Sequence, residues 1–270
     1  MKFAFKSIVA AAAFVAVGAA SATPYAGTWS VVSGSGGLTF SASALSALSA
    51  SGSSIITPAT VTAGFPGAGS ANTAAYTKAT GNVALTFNTA TIDGDKLTSL
   101  TAANSLVNIR RSVVNDDGSV SQFNVFMSGF KVDLNTSTVL ASLYSNTGTG
   151  SALQSYGNLS IFQAANVGVV TGGTGGNIQV TSVTASGANG TASGSLSGKL
   201  SMVNSTANII LSSLGLDTTG DVADLVKNAD WGATSASGTF TAPVPEPSTY
   251  VLMGLGLVGI AAVARRRKAA

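Results

Sequence analysis

Two pairs of closely spaced carboxylates are the residues best suited to chemistry: Asp93 with Asp95, and Asp116 with Asp117. Either pair could contribute to a Ca²⁺ site, but calcium takes about six to eight oxygens, so backbone carbonyls would have to complete it. Each pair also adjoins a glycine, in Asp93-Gly94 and Asp117-Gly118. Asp at a hairpin tip bonds its own backbone without any metal, and the turn reading is favoured for both pairs. Glycoside hydrolysis would need two carboxylates facing each other across a cleft, and no cluster of Trp or Tyr accompanies the aspartates. Trp29 and Trp231, the only tryptophans, suit a core better than a sugar platform. Arg110-Arg111 places one guanidinium on each face of a strand and reads as a solvated edge. With His 0 and Cys 0, Ser-His-Asp triads, thiol chemistry, disulfides and histidine-held metals are excluded. No catalytic, cofactor-binding or metal-ligating residue is expected, and the domain is read as non-catalytic.

Composition points the same way. The 270 residues are enough for one sizeable β domain. Only 9% are charged, against 45% hydrophobic; an ordinary soluble chain has about a quarter charged. The net charge of +3 belongs to the ends, where Lys2, Lys6, Arg265, Arg266, Arg267 and Lys268 lie. Between residues 23 and 242, seven Lys and Arg face nine Asp, a net of 7 − 9 = −2. Nucleic acid is therefore not an expected partner.

Lys2 and Lys6 precede a wholly apolar run over residues 8–17, and Ala20-Ser21-Ala22 follows. A short positive region, a brief apolar core and small residues at −3 and −1 describe a secretory signal peptide cut by signal peptidase after Ala22. A core of about ten residues is too short to span about 30 Å of hydrocarbon.

The other end is more specific. Pro245-Glu246-Pro247-Ser248 precedes an uncharged apolar stretch over residues 249–264, and Arg265, Arg266, Arg267 and Lys268 close it. The two prolines fix φ and lack an N–H, so the tetrapeptide stays extended. The apolar stretch would make a short transmembrane helix of about 23 Å, extended by snorkelling arginines. The basic cluster holds its end in the cytoplasm as a stop-transfer signal. Gly254, Gly256 and Gly259 spell a dinucleotide fingerprint, but no acidic residue follows them, so no cofactor site is assigned.

This tripartite tail resembles the PEP-CTERM sorting signal of Gram-negative bacteria. The resemblance implies recognition by an exosortase, a membrane-embedded cysteine transpeptidase-like enzyme that removes the tail. It also implies transient anchoring in the inner membrane, then delivery to the cell surface or extracellular matrix. It does not extend to the central domain.

Residues 23–242 alternate as strands do. Val83, Leu85 and Phe87 share one phase, as do Phe123, Val125 and Met127, and Val139, Ala141 and Leu143. Asp93-Gly94, residues 115–118 and residues 135–137 read as hairpin turns, and Gly129 as a bulge. One short amphipathic helix is expected over residues 220–227. Residues 38–48 are ambiguous, and 186–199 are a loop or a flat, weakly specified strand pair. The expected fold is all-β: a single β-sandwich, jelly-roll-like or immunoglobulin-like, with a β-helix as the alternative.

The chain thus divides into a signal peptide (1–22), a β-rich exported domain (23–242) and a sorting signal (243–270). Two functions remain open: a non-catalytic matrix protein acting in adhesion, aggregation or biofilm structure, with exopolysaccharide as a partner, or a secreted carbohydrate-active enzyme or carbohydrate-binding module. Export is checked at the N-terminus. Edman sequencing of the exported protein is expected to begin at Thr23, and a mature chain retaining Met1 or Lys2 contradicts the signal peptide.

Overall fold

The computed structural model describes residues 27–94, 96–148, 151–164, 176–184, 187–196 and 200–242, together with 254, 256 and 257. Thirteen strands form one antiparallel sheet, and its two halves enclose a common apolar core. The first half contains β6 (Lys96–Val114), β7 (Val120–Asp133), β8 (Thr138–Thr147), β9 (Gln154–Ala164) and β12 (Leu200–Met202), hydrogen-bonded in that order. The second runs through β10 (Gly176–Thr184), β11 (Gly187–Leu196), β13 (Ala233–Ala242), β1 (Gly27–Thr39), β4 (Asn82–Thr86) and β3 (Ala74–Thr77). Strand β6 joins them: β10 pairs with its start, and β5 (Thr89–Asp93) pairs with both β1 and β6. A further strand, β2 (Ser53–Ile56), pairs with β6 near its end. The all-β sandwich expectation holds. A β-helix stacks parallel strands, whereas each ladder here is antiparallel.

The expected turns form as read. Asp93 pairs with Lys96 across Gly94, Val114 with Val120, and Asp133 with Thr138. The alternating residues face inward: Val83, Leu85, Phe87, Val125, Met127, Ala141 and Leu143 are all buried. Gly129 has φ +67° and lies where the β7–β8 register shifts between Ser128 and Lys131, as a bulge requires. On the facing strand the β6–β7 register shifts between Ala102 and Leu106. Fully buried Ser105 fills that irregularity: its hydroxyl donates to the Ala102 carbonyl at 2.6 Å and accepts from the Phe130 N–H at 2.9 Å.

Among the described residues of the domain, three helices pack together against the sheet. The ambiguous stretch divides into the end of β1 and helix α1 (Ala42–Ala50), whose N-terminus is capped by the Ser41 hydroxyl. Helix α2 (Asn204–Ser213) departs from the sequence reading. Its Asn, Ser, Thr and Ile residues are poor helix formers, and it is stabilised by burying Thr206, Ala207, Ile210 and Leu211. Helix α3 (Asp221–Asn228) matches expectation, with Asp221 and Asp224 in its first turn and Lys227 in its last, complementing the helix dipole. Residues 187–196 form a strand between β10 and β13.

Both tryptophans are core residues. Trp231 is 3% exposed and packs against Phe40 at 6.1 Å and Phe162 at 5.4 Å between ring centroids, while its indole N–H donates to the Val226 carbonyl. Trp29 is 0% exposed. An apolar cavity of about 40 Å³ beside Trp231, Phe40, Met127 and Phe162 lies within this core, and its lining gives a polar ligand little to hold. Gly232 follows Trp231 at φ +105°, and a Cβ there would sit 2.0 Å from the Thr39 carbonyl oxygen. Gly232→Ala is expected to destabilise the domain by at least about 2 kcal/mol. Urea unfolding monitored by Trp fluorescence checks this, and an unchanged midpoint contradicts it.

Candidate functional site

Among the described residues, two buried amide oxygens without a hydrogen-bond partner, those of Asn108 and Asn146, lie on the face of β6, β7 and β8 opposite the core. Strand pairing places Arg110, Asn124 and Asn146 in one cross-strand row, and Asn108, Phe126 and Tyr144 in the next. Alternation alone would leave this face to solvent. Instead the connection over residues 57–73 folds back across it and makes a second, smaller apolar cluster from Val61, Phe65 and Leu106. The Phe65 ring meets Phe126 at 4.9 Å and Tyr144 edge-on at 5.2 Å.

One side chain pins this connection. The Asn72 amide nitrogen donates to the carbonyls of Pro58 at 2.7 Å and Leu106 at 2.8 Å. Its oxygen accepts from the N–H groups of Leu106 at 2.8 Å and Ala74 at 3.0 Å. Leu106 lies where β6 resumes regular pairing after its register shift, so the irregularity supplies the backbone groups that Asn72 grips. Within the connection, Val61 donates to Ser70 and Gly69 donates to Val61, each at 2.9 Å.

A groove of about 490 Å³ remains between this connection, the three strands and the segment leading into β9. Asn108, Asn124, Asn146, Gln122 and Arg110 form its polar lining, while Ile56, Pro58, Phe65 and Leu153 supply apolar walls. The Asn124 Oδ1 accepts from Asn108 Nδ2 at 3.2 Å and Arg110 Nε at 3.1 Å. Asn108 is only 5% exposed. Its Oδ1, and the Oδ1 of Asn146, are buried without a hydrogen-bond partner in the protein. Such an acceptor costs about 1–3 kcal/mol unless something donates to it. Among the described residues, no carboxylate lines the groove. Among the described residues the one ion pair joins Lys131 to Asp133 at 3.3 Å, so the Arg110 charge has no acidic partner among them.

The residues singled out from sequence lie elsewhere or serve the fold. Asp117 is a turn residue: its Oδ1 accepts from the Ser119 hydroxyl at 2.6 Å and the Ser119 N–H at 2.9 Å. These bonds hold its carboxyl below the usual range. Asp116 is an exposed neighbour in that turn, and Asp93 is exposed at the end of β5; Asp95 lies outside the described residues. Burial pushes the Asp133 carboxyl up, but hydrogen bonds from Thr136 and the Lys131 ammonium outweigh it and hold the group below its ordinary value. The stability that Asp133 contributes is therefore present above the ordinary carboxylate range and lost as pH falls through the folded value.

The arginines point to opposite faces, as the strand period requires, but β6 is no solvated edge. Arg111 donates to the Leu214 carbonyl at 3.0 Å and the Gly215 carbonyl at 3.1 Å, at the end of α2, and its guanidinium lies 6.0 Å from the Phe123 ring centroid. Arg110 enters the groove. The amide row escaped sequence reading because Asn108, Asn124 and Asn146 look like ordinary outward positions of separate strands. Register alone brings them together.

Ala22, Pro245, Glu246, Pro247, Ser248, Arg265, Arg266, Arg267 and Lys268 lie outside the described residues. Among the described residues, no helix is long and apolar enough to cross a membrane. Asn72→Ala removes four hydrogen bonds and is expected to destabilise the domain by about 2–4 kcal/mol, with new proteolytic cleavage within residues 57–73. Urea unfolding and limited proteolysis check this together; an unchanged midpoint with intact 57–73 contradicts the pinning role.

Comparison with known proteins adds little to the domain and much to the tail. The C-terminal domain of HtaA from Corynebacterium glutamicum is similar in structure, with a TM-score of 0.39 and 14% sequence identity over 78% of this chain and 99% of that one. No curated protein matches the chain in sequence. Residues 243–268 match the PEP-CTERM protein-sorting motif, and the chain therefore carries the C-terminal sorting signal of an exported, exosortase-processed protein.

Proposed function

We propose that the mature chain is a non-catalytic protein of the cell surface or extracellular matrix, acting in adhesion, aggregation or biofilm structure through contact with exopolysaccharide. The sorting motif at residues 243–268 carries this reading, because it commits the domain to export and its tail to removal. Signal peptidase frees the N-terminus after Ala22. Residues 249–264 then hold the precursor in the inner membrane, with Arg265, Arg266, Arg267 and Lys268 on the cytoplasmic side. The extended Pro245-Glu246-Pro247-Ser248 segment is thereby offered to exosortase outside the membrane.

The domain suits a role of contact rather than turnover. The chain has no His and no Cys, which removes the commonest general base and the thiolate nucleophile. The groove over β6, β7 and β8 has a polar lining of amides and one arginine, groups that bind well but do not hydrolyse glycosidic bonds, which needs a carboxylate pair. The same lining favours a carbohydrate-binding module over a carbohydrate-active enzyme.

Replacing Pro245-Glu246-Pro247 by three alanines is expected to leave membrane insertion intact, since the apolar stretch and basic cluster persist, but to stop tail removal. Cell fractionation with intact-mass measurement reads both effects. A variant released like the wild type, or a wild-type surface protein that keeps residues 249–270, overturns the processing route.

A further inference from the structure

We propose that the groove over β6, β7 and β8 binds an acidic sugar unit of the uronic-acid type within a polysaccharide chain. The inference deepens the matrix reading and rests on it for the source of the ligand. Its physical basis lies in the groove. Asn108 Oδ1 and Asn146 Oδ1 are buried acceptors without partners in the protein, and such groups select a ligand carrying O–H or N–H donors. Arg110 supplies a positive charge with one N–H occupied by Asn124, leaving the rest of its donor fork to meet a carboxylate. A ligand that satisfies all three must carry donors and an anionic acceptor on the same small unit.

Uronic acids meet that demand. Their hydroxyls donate to the two amide oxygens, and their carboxylate accepts from Arg110. A fully ionised sulfate or phosphate has the charge but lacks the donors, and a neutral sugar has the donors but leaves Arg110 unpaired. The walls agree with this assignment: Pro58, Phe65, Ile56 and Leu153 offer apolar surface to the C–H faces of a pyranose ring. The volume of about 490 Å³ falls within the range of small-ligand sites, about 300–1,000 Å³. Thr62, Ala63 and Ser151, which also line it, are exposed, so the groove opens to solvent where a polymer chain would enter. Asn124 already bridges Asn108 and Arg110, and binding requires the Asn108 and Asn146 amides to turn their buried oxygens toward the ligand.

The test uses the mature protein recovered from the producing cells, titrated by calorimetry with tetramannuronate and, separately, with neutral mannotetraose. Arg110→Gln and Asn146→Ala alter the groove, Lys78→Gln is an exposed control outside it, and thermal unfolding verifies that each variant is folded. The expected result is saturable tetramannuronate binding, at least about tenfold tighter than for the neutral tetramer. Either groove variant is expected to weaken it at least about tenfold, with Lys78→Gln unchanged. No saturable binding, equal affinity for the neutral tetramer, or full affinity in both folded groove variants overturns the inference. A surface-located protein that binds no uronate defeats this inference alone. One that binds uronate but stays in the inner membrane supports the groove and defeats the matrix reading.

Discussion

A single 19-residue strand, β6, is hydrogen-bonded along both edges, and both halves of the domain depend on it. Leu97 pairs with Ile92 of β5 on one side and Gly176 of β10 on the other, while Ser99 pairs with Thr91 and Asp133. Continuity of the ladder therefore passes through this strand. The chain has no cysteine, so no covalent staple shares the task. Stability rests on long-range pairing and on one continuous apolar core, including Leu97, Leu100, Val107 and Ile109 from β6 itself.

The same strand is interrupted in a way that creates the groove. The register shift between Ala102 and Leu106 faces the bulge at Gly129, and Ser105 bridges the two through the Phe130 N–H. Beyond the shift, Leu106 offers both its N–H and its carbonyl to Asn72, which draws the 57–73 connection over the outer face. Phe65 then has aromatic partners to bury against, and the polar row beyond it becomes the floor of a groove. Local irregularity in one ladder thus decides where a loop docks and which side chains it shelters.

Function is divided between the tail and the middle. The tail motif addresses the protein and says nothing of what the domain touches. The domain offers few charges, hairpin tips held by their own side chains, and one sheltered row of amides. Hydrogen-bonding groups of this kind lose affinity when left exposed to water and gain it when a shaped groove desolvates them. The walls built by the 57–73 connection therefore matter as much as the amides.

Much of this was legible in the sequence where the physics is local. Turn chemistry at Asp93-Gly94 and residues 115–118, the period-two alternation of β7 and β8, the bulge at Gly129 and helix α3 depend on neighbours within a few residues. The sorting motif at residues 243–268 is likewise contiguous. What tertiary structure decided is separated along the chain. Helix α2 forms against its own weak propensity because Ile210 and Leu211 are buried, and the Gly-rich β11 is a strand because β10 and β13 flank it. The groove draws on residues from Ile56 to Leu153. Its amides share a site only because strand register sets Asn124 opposite both Arg110 and Asn146. Register is fixed by which faces bury apolar surface across the whole sheet, a property that no single segment contains.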